Sequence, residues 1–305
     1  MKVTSIIFLV IAILLVIGGS VILNKSQEMA AEKDIELFKQ TITENGDLVE
    51  TIEFSSENTN KININLKNTD VNIIGNAEKS YVEIINFNAI EYSTYTNNRT
   101  FNIENDLISA VIGRAEGGSI HFGGVRDYLR KDEYNKNEKR VNVYLTADCA
   151  VKIFDIKIEN GNINVENVNL LCDYYSVINE GSFTSENTPR ISYINSKIKK
   201  GDVIINKAYV ANADIEIENG DIELSLPSQY IYDFNIESET GVIKYNNESH
   251  SGKFVVENEE TNAFFEAHIG VGNVTITTYE APAEEPEAPE TSESAEETQA
   301  ETSNE

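Results

Sequence analysis

The chain has 305 residues, 40% of them hydrophobic, with 51 acidic against 24 basic side chains and a formal net charge of -27. That length admits one large domain or two small ones with a sizeable core. The charge argues against nucleic acid, whose binders cluster Lys and Arg against phosphates, and against anionic lipid headgroups; cations and neutral or basic surfaces stay open.

After a four-residue tail, residues 5–23 read SIIFLVIAILLVIGGSVIL, without one charge. At ~1.5 Å per residue such a run just crosses a hydrocarbon core, so a transmembrane signal anchor is expected over 5–24. Ala30 and Ala31, the small residues a cleavage site would use, lie far downstream, and no Cys follows for acylation. The short amino end and the strand-rich bulk suggest a single-pass protein of the cell membrane with its β-domain outside the cytoplasm. Within 25–50, Ile35, Phe38 and Ile42 have helical spacing, which predicts a short juxtamembrane helix or stalk.

From residue 51 to 279 the pattern changes to alternation around glycines. KININLKNTDVNII (61–74) is the first such phrase, with Thr69 at the pivot. YVEIINFNAIEYSTY (81–95) and TFNIENDLISAVI (100–112) add strands, and the segment 113–140 then interrupts the pattern with six basic residues from Arg126 to Arg140. A charged loop on a rigid scaffold is a candidate contact surface. The main repeats follow, pivoting at Gly161, Gly181, Gly201, Gly220, Gly241 and Gly272, at intervals of 20, 20, 19, 21 and 31 residues. Two residues after each pivot stand Ile163, Phe183, Val203, Ile222, Ile243 and Val274. Three residues before stand Ile158, Ile178, Ile198, Ile217, Ser238 and Ile269.

A near-constant period with two apolar columns predicts stacked coils. Each arm of a coil is a strand with one buried face, and glycine supplies a backbone conformation that other residues resist. A single coil has too few apolar side chains to offset the entropy of ordering it, so its backbone must pair with coils above and below. The expected fold is therefore all-β, a β-solenoid of the parallel β-helix kind with coils of about 20 residues. An antiparallel β-sandwich is the alternative, because Asn-Gly between alternating arms is also a hairpin signal that would set Ile217 opposite Ile222. The pivots that lack Asn-Gly, such as IKKGDVI (198–204), favour the solenoid. Residues 280–305 hold ten Glu, no Lys or Arg and three of the five prolines, the composition of a disordered acidic tail. No LPxTG-like sorting motif accompanies it.

The pieces NTDVNI (68–73), RVNVYLTADC (140–149), IENGNINV (158–165), IKKGDVII (198–205), IENGDIELSLP (217–227), ETGVIKY (239–245) and GVGNVTI (270–276) recur in this order. With their G-D-[IV]-x-[IV] motifs, they resemble a bacterial domain-of-unknown-function family called "putative adhesin", often found behind one transmembrane helix. The resemblance covers roughly 62–278. It implies a β-solenoid-like surface protein of the bacterial envelope. Thr146, standing where the family pattern suggests Leu-Pro, and the charged 113–140 segment depart from it.

Reactive chemistry has few candidates. His121, His250 and His268 are isolated from one another in sequence, and neither HExxH, GxSxG nor a phosphate-binding loop occurs. Cys149 and Cys172 lack zinc spacing; their 23-residue separation suits neighbouring coils, and two buried thiols are favoured over a disulfide. Asp202 and Asp221 share a coil position that could gather calcium, but the slot varies (Asn162, Ser182, Val242, Asn273), and turn chemistry suffices to explain it. We expect no catalytic, cofactor or metal residues. The predicted function is a membrane-tethered, non-catalytic surface domain for adhesion or envelope interaction, with envelope proteins or glycans as partners. A regulatory component of an envelope-stress system is the alternative. A carbohydrate-active β-helix enzyme comes third, and it would need clustered acids on one exposed face.

Overall fold

A computed structural model describes residues 40–87, 92–105 and 138–281. The predicted anchor (5–24), the predicted juxtamembrane helix up to residue 39, the strand reading over 106–112, residues 113–137 of the charged segment and the acidic tail beyond Ala281 lie outside these residues. Among the described residues no helix is long and apolar enough to cross a membrane.

Among the described residues, alternation becomes strand. In IFDIKIEN, β9 (Ile153–Asn160), Phe154, Ile156 and Ile158 point inward and are buried, while Lys157 and Glu159 face solvent. Gly161 then turns the chain into the short strand β10 (Ile163–Glu166), whose Ile163 and Val165 are buried. This unit of long strand, pivot and short strand recurs as β3 (Lys61–Asn68) with β4 (Asp70–Ile74), where the pivot is Thr69, β11 (Asp173–Glu180) with β12 (Phe183–Glu186), and β13 (Arg190–Lys200) with β14 (Val203–Asn206). It continues as β15 (Tyr209–Asn219) with β16 (Ile222–Pro227), and β19 (Ala263–Val271) with β20 (Val274–Tyr279). The strand β17 (Tyr232–Tyr245) runs through Gly241 and serves both arms.

The arms stack in two parallel ladders. Long strands follow the spatial order β3, β9, β11, β13, β15, β19, β17. Short strands follow β4, β10, β12, β14, β16, β20 and the end of β17. The solenoid therefore holds. The hairpin alternative fails because Ile217 pairs with Ile198 and Ile269, while Ile222 pairs with Val203 and Val274. Both apolar columns face the interior; even their polar member, Ser238, is buried and donates to the Gly272 carbonyl at 2.9 Å.

Sequence order and spatial order part at both ends. The Gly272 coil sits between those of Gly220 and Gly241, because β17 turns back through β18 (Glu248–Val256) and β19 slips inside it. The 31-residue interval contains that hairpin. At the other end, the phrase read as the first coil is covered by a further rung, with β7 (Thr100–Glu104) on β3 and β8 (Arg140–Tyr144) on β4. Antiparallel strands then close the stack: β6 (Ser93–Asn97) on β7, β5 (Tyr81–Ile85) on β8, β2 (Leu48–Glu53) on β5, and β18 on β17.

The stalk read over 25–50 also needs correction at its end. Gln40–Ile42 form β1, paired antiparallel with Leu48–Glu50. The reason is the hairpin signal ENGD (44–47), in which Gly46 takes φ of 81° and the Asp47 N–H bonds Thr43 Oγ1 at 3.1 Å.

Glycine is required at the pivots by close approach. Gly161, Gly181, Gly201, Gly220 and Gly272 take φ from 138° to 151°. A Cβ on Gly181 would collide with the backbone carbonyl of Gly161, and one on Gly201 with that of Gly181. Thr69 replaces glycine at the start of this column, where it needs no positive φ; its hydroxyl donates to the Lys139 carbonyl at 3.2 Å. Gly181→Ala is expected to destabilise the fold by roughly 3 kcal/mol, combining dihedral strain with displaced backbone. Gly252→Ala, at φ of 77° with open space around it, should cost about 1 kcal/mol. Urea unfolding of both variants checks this; equal losses would contradict the close-approach account.

Candidate functional site

The slot after each pivot, which holds Asp202 and Asp221, is where side-chain oxygens meet backbone. Asn162 N–H donates to Asp70 Oδ1 at 2.7 Å, Ser182 N–H to Asn162 Oδ1 at 3.0 Å, and Asp202 N–H to Ser182 Oγ at 3.0 Å. The ladder continues from Asp221 N–H to Asp202 Oδ1 at 2.8 Å, from Asn273 N–H to Asp221 Oδ1 at 2.6 Å, and from Val242 N–H to Asn273 Oδ1 at 3.1 Å. Each rung needs an acceptor for the next coil, which Asn, Ser and Asp all supply. Val242 belongs to the outermost coil and needs none. Asp202 and Asp221 are thus acceptors in a structural ladder, and no group of three or more His, Cys, Asp or Glu residues able to hold a metal occurs among the described residues.

A second turn column went unread. Asn167, Asn187 and Lys207 take φ of 56°, 50° and 56° at the far end of successive short strands. Its signal was the phrase ENV, ENT, NKA at 166–168, 186–188 and 206–208.

The two described histidines do not converge. His121 lies outside the described residues. His250 is on the closing strand β18 against Phe254, with ring centroids 4.6 Å apart, and His268 is on the outer face of β19, 3.6 Å from Glu239. Cys149 and Cys172 are both buried and unbonded, as read. Burial pushes the Cys172 thiol from 9.0 up to about 12.

What the coils display is the outer face of the long-strand ladder. Because strands pair in register, outward side chains form rows along the stack. One row joins Asp173, Tyr193, Asn212 and Phe264; the next joins Asp155, Tyr175, Asn195, Asp214 and Glu266. A third joins Lys157, Val177, Lys197, Glu216 and His268. Apolar side chains stand exposed in these rows: Tyr175 at 38%, Val177 at 46% and Phe264 at 39%. Tyr175 and Tyr193 pack edge to face, with centroids 5.6 Å apart and ring planes at 66°.

Among the described residues this face carries an open groove and a smaller depression. The groove, of about 990 Å³, follows the strand ends from Lys67 to Val271. Lys67, Lys157, Lys197 and Lys199 line it on the coils from β3 to β13, together with Glu159, and Glu216, Glu218 and Glu239 line it toward the Gly241 end. Lys197 is held by Glu216 at 2.8 Å, which raises its pKa. The smaller, of about 430 Å³, lies between Tyr193 and Phe264. The acids on this face act as anchored acceptors: Asp155 pairs with Lys61 at 2.8 Å, and Asp214 Oδ2 accepts Asn195 Nδ2 at 2.9 Å. Strand alternation alone would have put Tyr175 and Tyr193 on neighbouring coils; Phe264 escaped notice because β19 lies out of sequence order.

The raised Cys172 value carries a sign. A folded state that holds a proton more tightly than the unfolded chain is favoured below the thiol's ordinary value and loses that advantage as pH climbs toward the folded one. Stability is therefore expected to fall between pH 9 and about 12, and Cys172→Ala should flatten that fall. Urea midpoints across this pH range check it; an unchanged slope in the variant would contradict it.

Residues 59–303 match the family model described as Toastrack DUF4097. No curated protein matches the chain. Among solved structures, a "putative cell adhesion protein" of Clostridium sporogenes is 15% identical, with a TM-score of 0.42, covering 76% of this chain and 99% of its own. A "putative adhesin" of Bacteroides fragilis is 9% identical, with a TM-score of 0.34 and coverages of 76% and 97%. A "putative lipid binding protein" of Parabacteroides distasonis is 9% identical, with a TM-score of 0.28 and the same two coverages. With the greater part of its length matched by that one model, the chain belongs to the Toastrack DUF4097 family.

Proposed function

We propose that this chain is a non-catalytic surface protein, tethered by residues 5–24, that engages a bacterial envelope or glycan partner through the outer face of its long-strand ladder. The observation that carries this reading is the exposure of Tyr175, Val177 and Phe264 among carboxylates and amides on a face fixed by backbone pairing. Exposed apolar groups rimmed by polar ones are the usual mark of a contact surface. Rigid strands hold them without the ordering cost that a loop would incur on binding. The face acids fit binding better than proton transfer, because Asp155 and Asp214 already accept from fixed donors.

Retention of the full-length chain on isolated envelope preparations tests this. The triple variant Tyr175→Ser, Tyr193→Ser, Phe264→Ser is expected to lose about tenfold in retention, as removal of a few aromatic contacts would predict. Unchanged retention would overturn the reading, as would turnover of a polysaccharide by the purified chain. Capture of a membrane sensor independently of this face would favour regulation instead.

A further inference from the structure

The depression between Tyr193 and Phe264 has the chemistry of a subsite. In the ladder, Tyr193 pairs with Asn212, and Asn212 with Phe264, so two aromatic side chains flank a short amide at two strand spacings. That separation, about 10 Å between strands, leaves room between the side chains for a single saturated ring. The lining also includes the carboxylates of Asp173, Asp214 and Glu266 and no Lys, Arg or His. Asp214 and Glu266 each accept one amide hydrogen, from Asn195 at 2.9 Å and Asn235 at 3.2 Å, which fixes them while leaving lone pairs unused. Tyr193 OH accepts from Asn195 Nδ2 at 3.2 Å, so its own proton is free to donate.

We infer that this depression binds the amino sugar of a glucosamine-type glycan, a polymer bearing free ammonium groups. The inference rests on the surface-binding reading above and names its ligand class. Three features point to this ligand together. Aromatic walls suit the C–H face of a pyranose ring and attract an adjacent cation. A lining with three carboxylates and no cation favours a positive ligand over a neutral or acidic one. Hydroxyl partners are present in Asn212 and Tyr193.

The acids also recur along the stack. Asp173, Asp214 and Glu266 lie on three different coils, those of β11, β15 and β19. A polymer bearing several ammonium groups therefore meets carboxylates on more than one coil. A lysine-rich peptide would meet the same charge but has no ring to fill the gap between Tyr193 and Phe264.

Calorimetric titration of the full-length chain with a β-1,4-glucosamine hexamer tests this. The N-acetylated hexamer and hexalysine serve as comparison ligands. Binding of the glucosamine hexamer is expected, at least about tenfold tighter than either comparison and weakened by salt. Tyr193→Ser and Phe264→Ser should each weaken it about tenfold, and Asp214→Asn with Glu266→Gln should remove the preference over the N-acetylated form. Urea midpoints like that of the parent chain would confirm that these exposed variants fold. Absence of hexamer binding, equal binding of the N-acetylated hexamer, or equal binding of hexalysine overturns the inference. If the hexamer fails while envelope retention still depends on Tyr175, Tyr193 and Phe264, only the ligand class falls. If retention is indifferent to those residues, the surface-binding reading falls with it.

Discussion

The fold depends on how closely successive coils approach at their pivots. At each of the stacked glycines the carbonyl of one coil occupies the space a Cβ of the next would need. That approach brings the following residue's N–H within reach of the side-chain oxygen one coil away, and the ladder from Asp70 to Val242 closes through it. Two requirements are thus met at one corner: the backbone turns, and its donors are satisfied without water. In-register stacking then places every second side chain of both arms in a common interior, where Phe154 stacks on Tyr174 at 5.3 Å and Phe234 meets Phe265 at 5.7 Å.

A parallel stack has the drawback of open ends, each a row of unpaired backbone groups. This chain closes them by leaving sequence order. At one end β17 passes outward and β18 folds back over it before β19 fills the place beside β15. At the other, β7 and β8 cover the coil of β3 and β4 and are themselves flanked by antiparallel β6 and β5. Antiparallel closing strands need no glycine pivot, so they carry the irregular sequences between the repeats.

The division between what was legible in sequence and what was not follows from this construction. Local alternation and glycine phase are properties of each coil by itself, and they revealed the strands, the interior columns and the role of Thr69 as a glycine substitute. The placement of the Gly272 coil rests on the long-range pairing of β19 with β15 and β17, which no local pattern records. The Asn162–Ser182–Asp202–Asp221–Asn273 slot looked variable as a list of residue types but is uniform as a list of acceptors. For the candidate face, Tyr175 and Tyr193 were within reach of alternation and phase. The place of Phe264 in the same row as Tyr193, one strand beyond Asn212, was not, because Phe264 arrives from a strand 52 residues beyond its neighbour's position.

The most direct measure of this account is amide hydrogen exchange at Asn162, Ser182, Asp202, Asp221 and Asn273. These residues lie at the surface corner, yet every one of their N–H groups is bonded to the adjoining coil. Their protection should match that of interior strand amides such as Ile178 and Ile198, since opening any of them requires separating coils. Exchange at the rate of exposed turn amides, with the interior strands still protected, would contradict a stack registered at its corners.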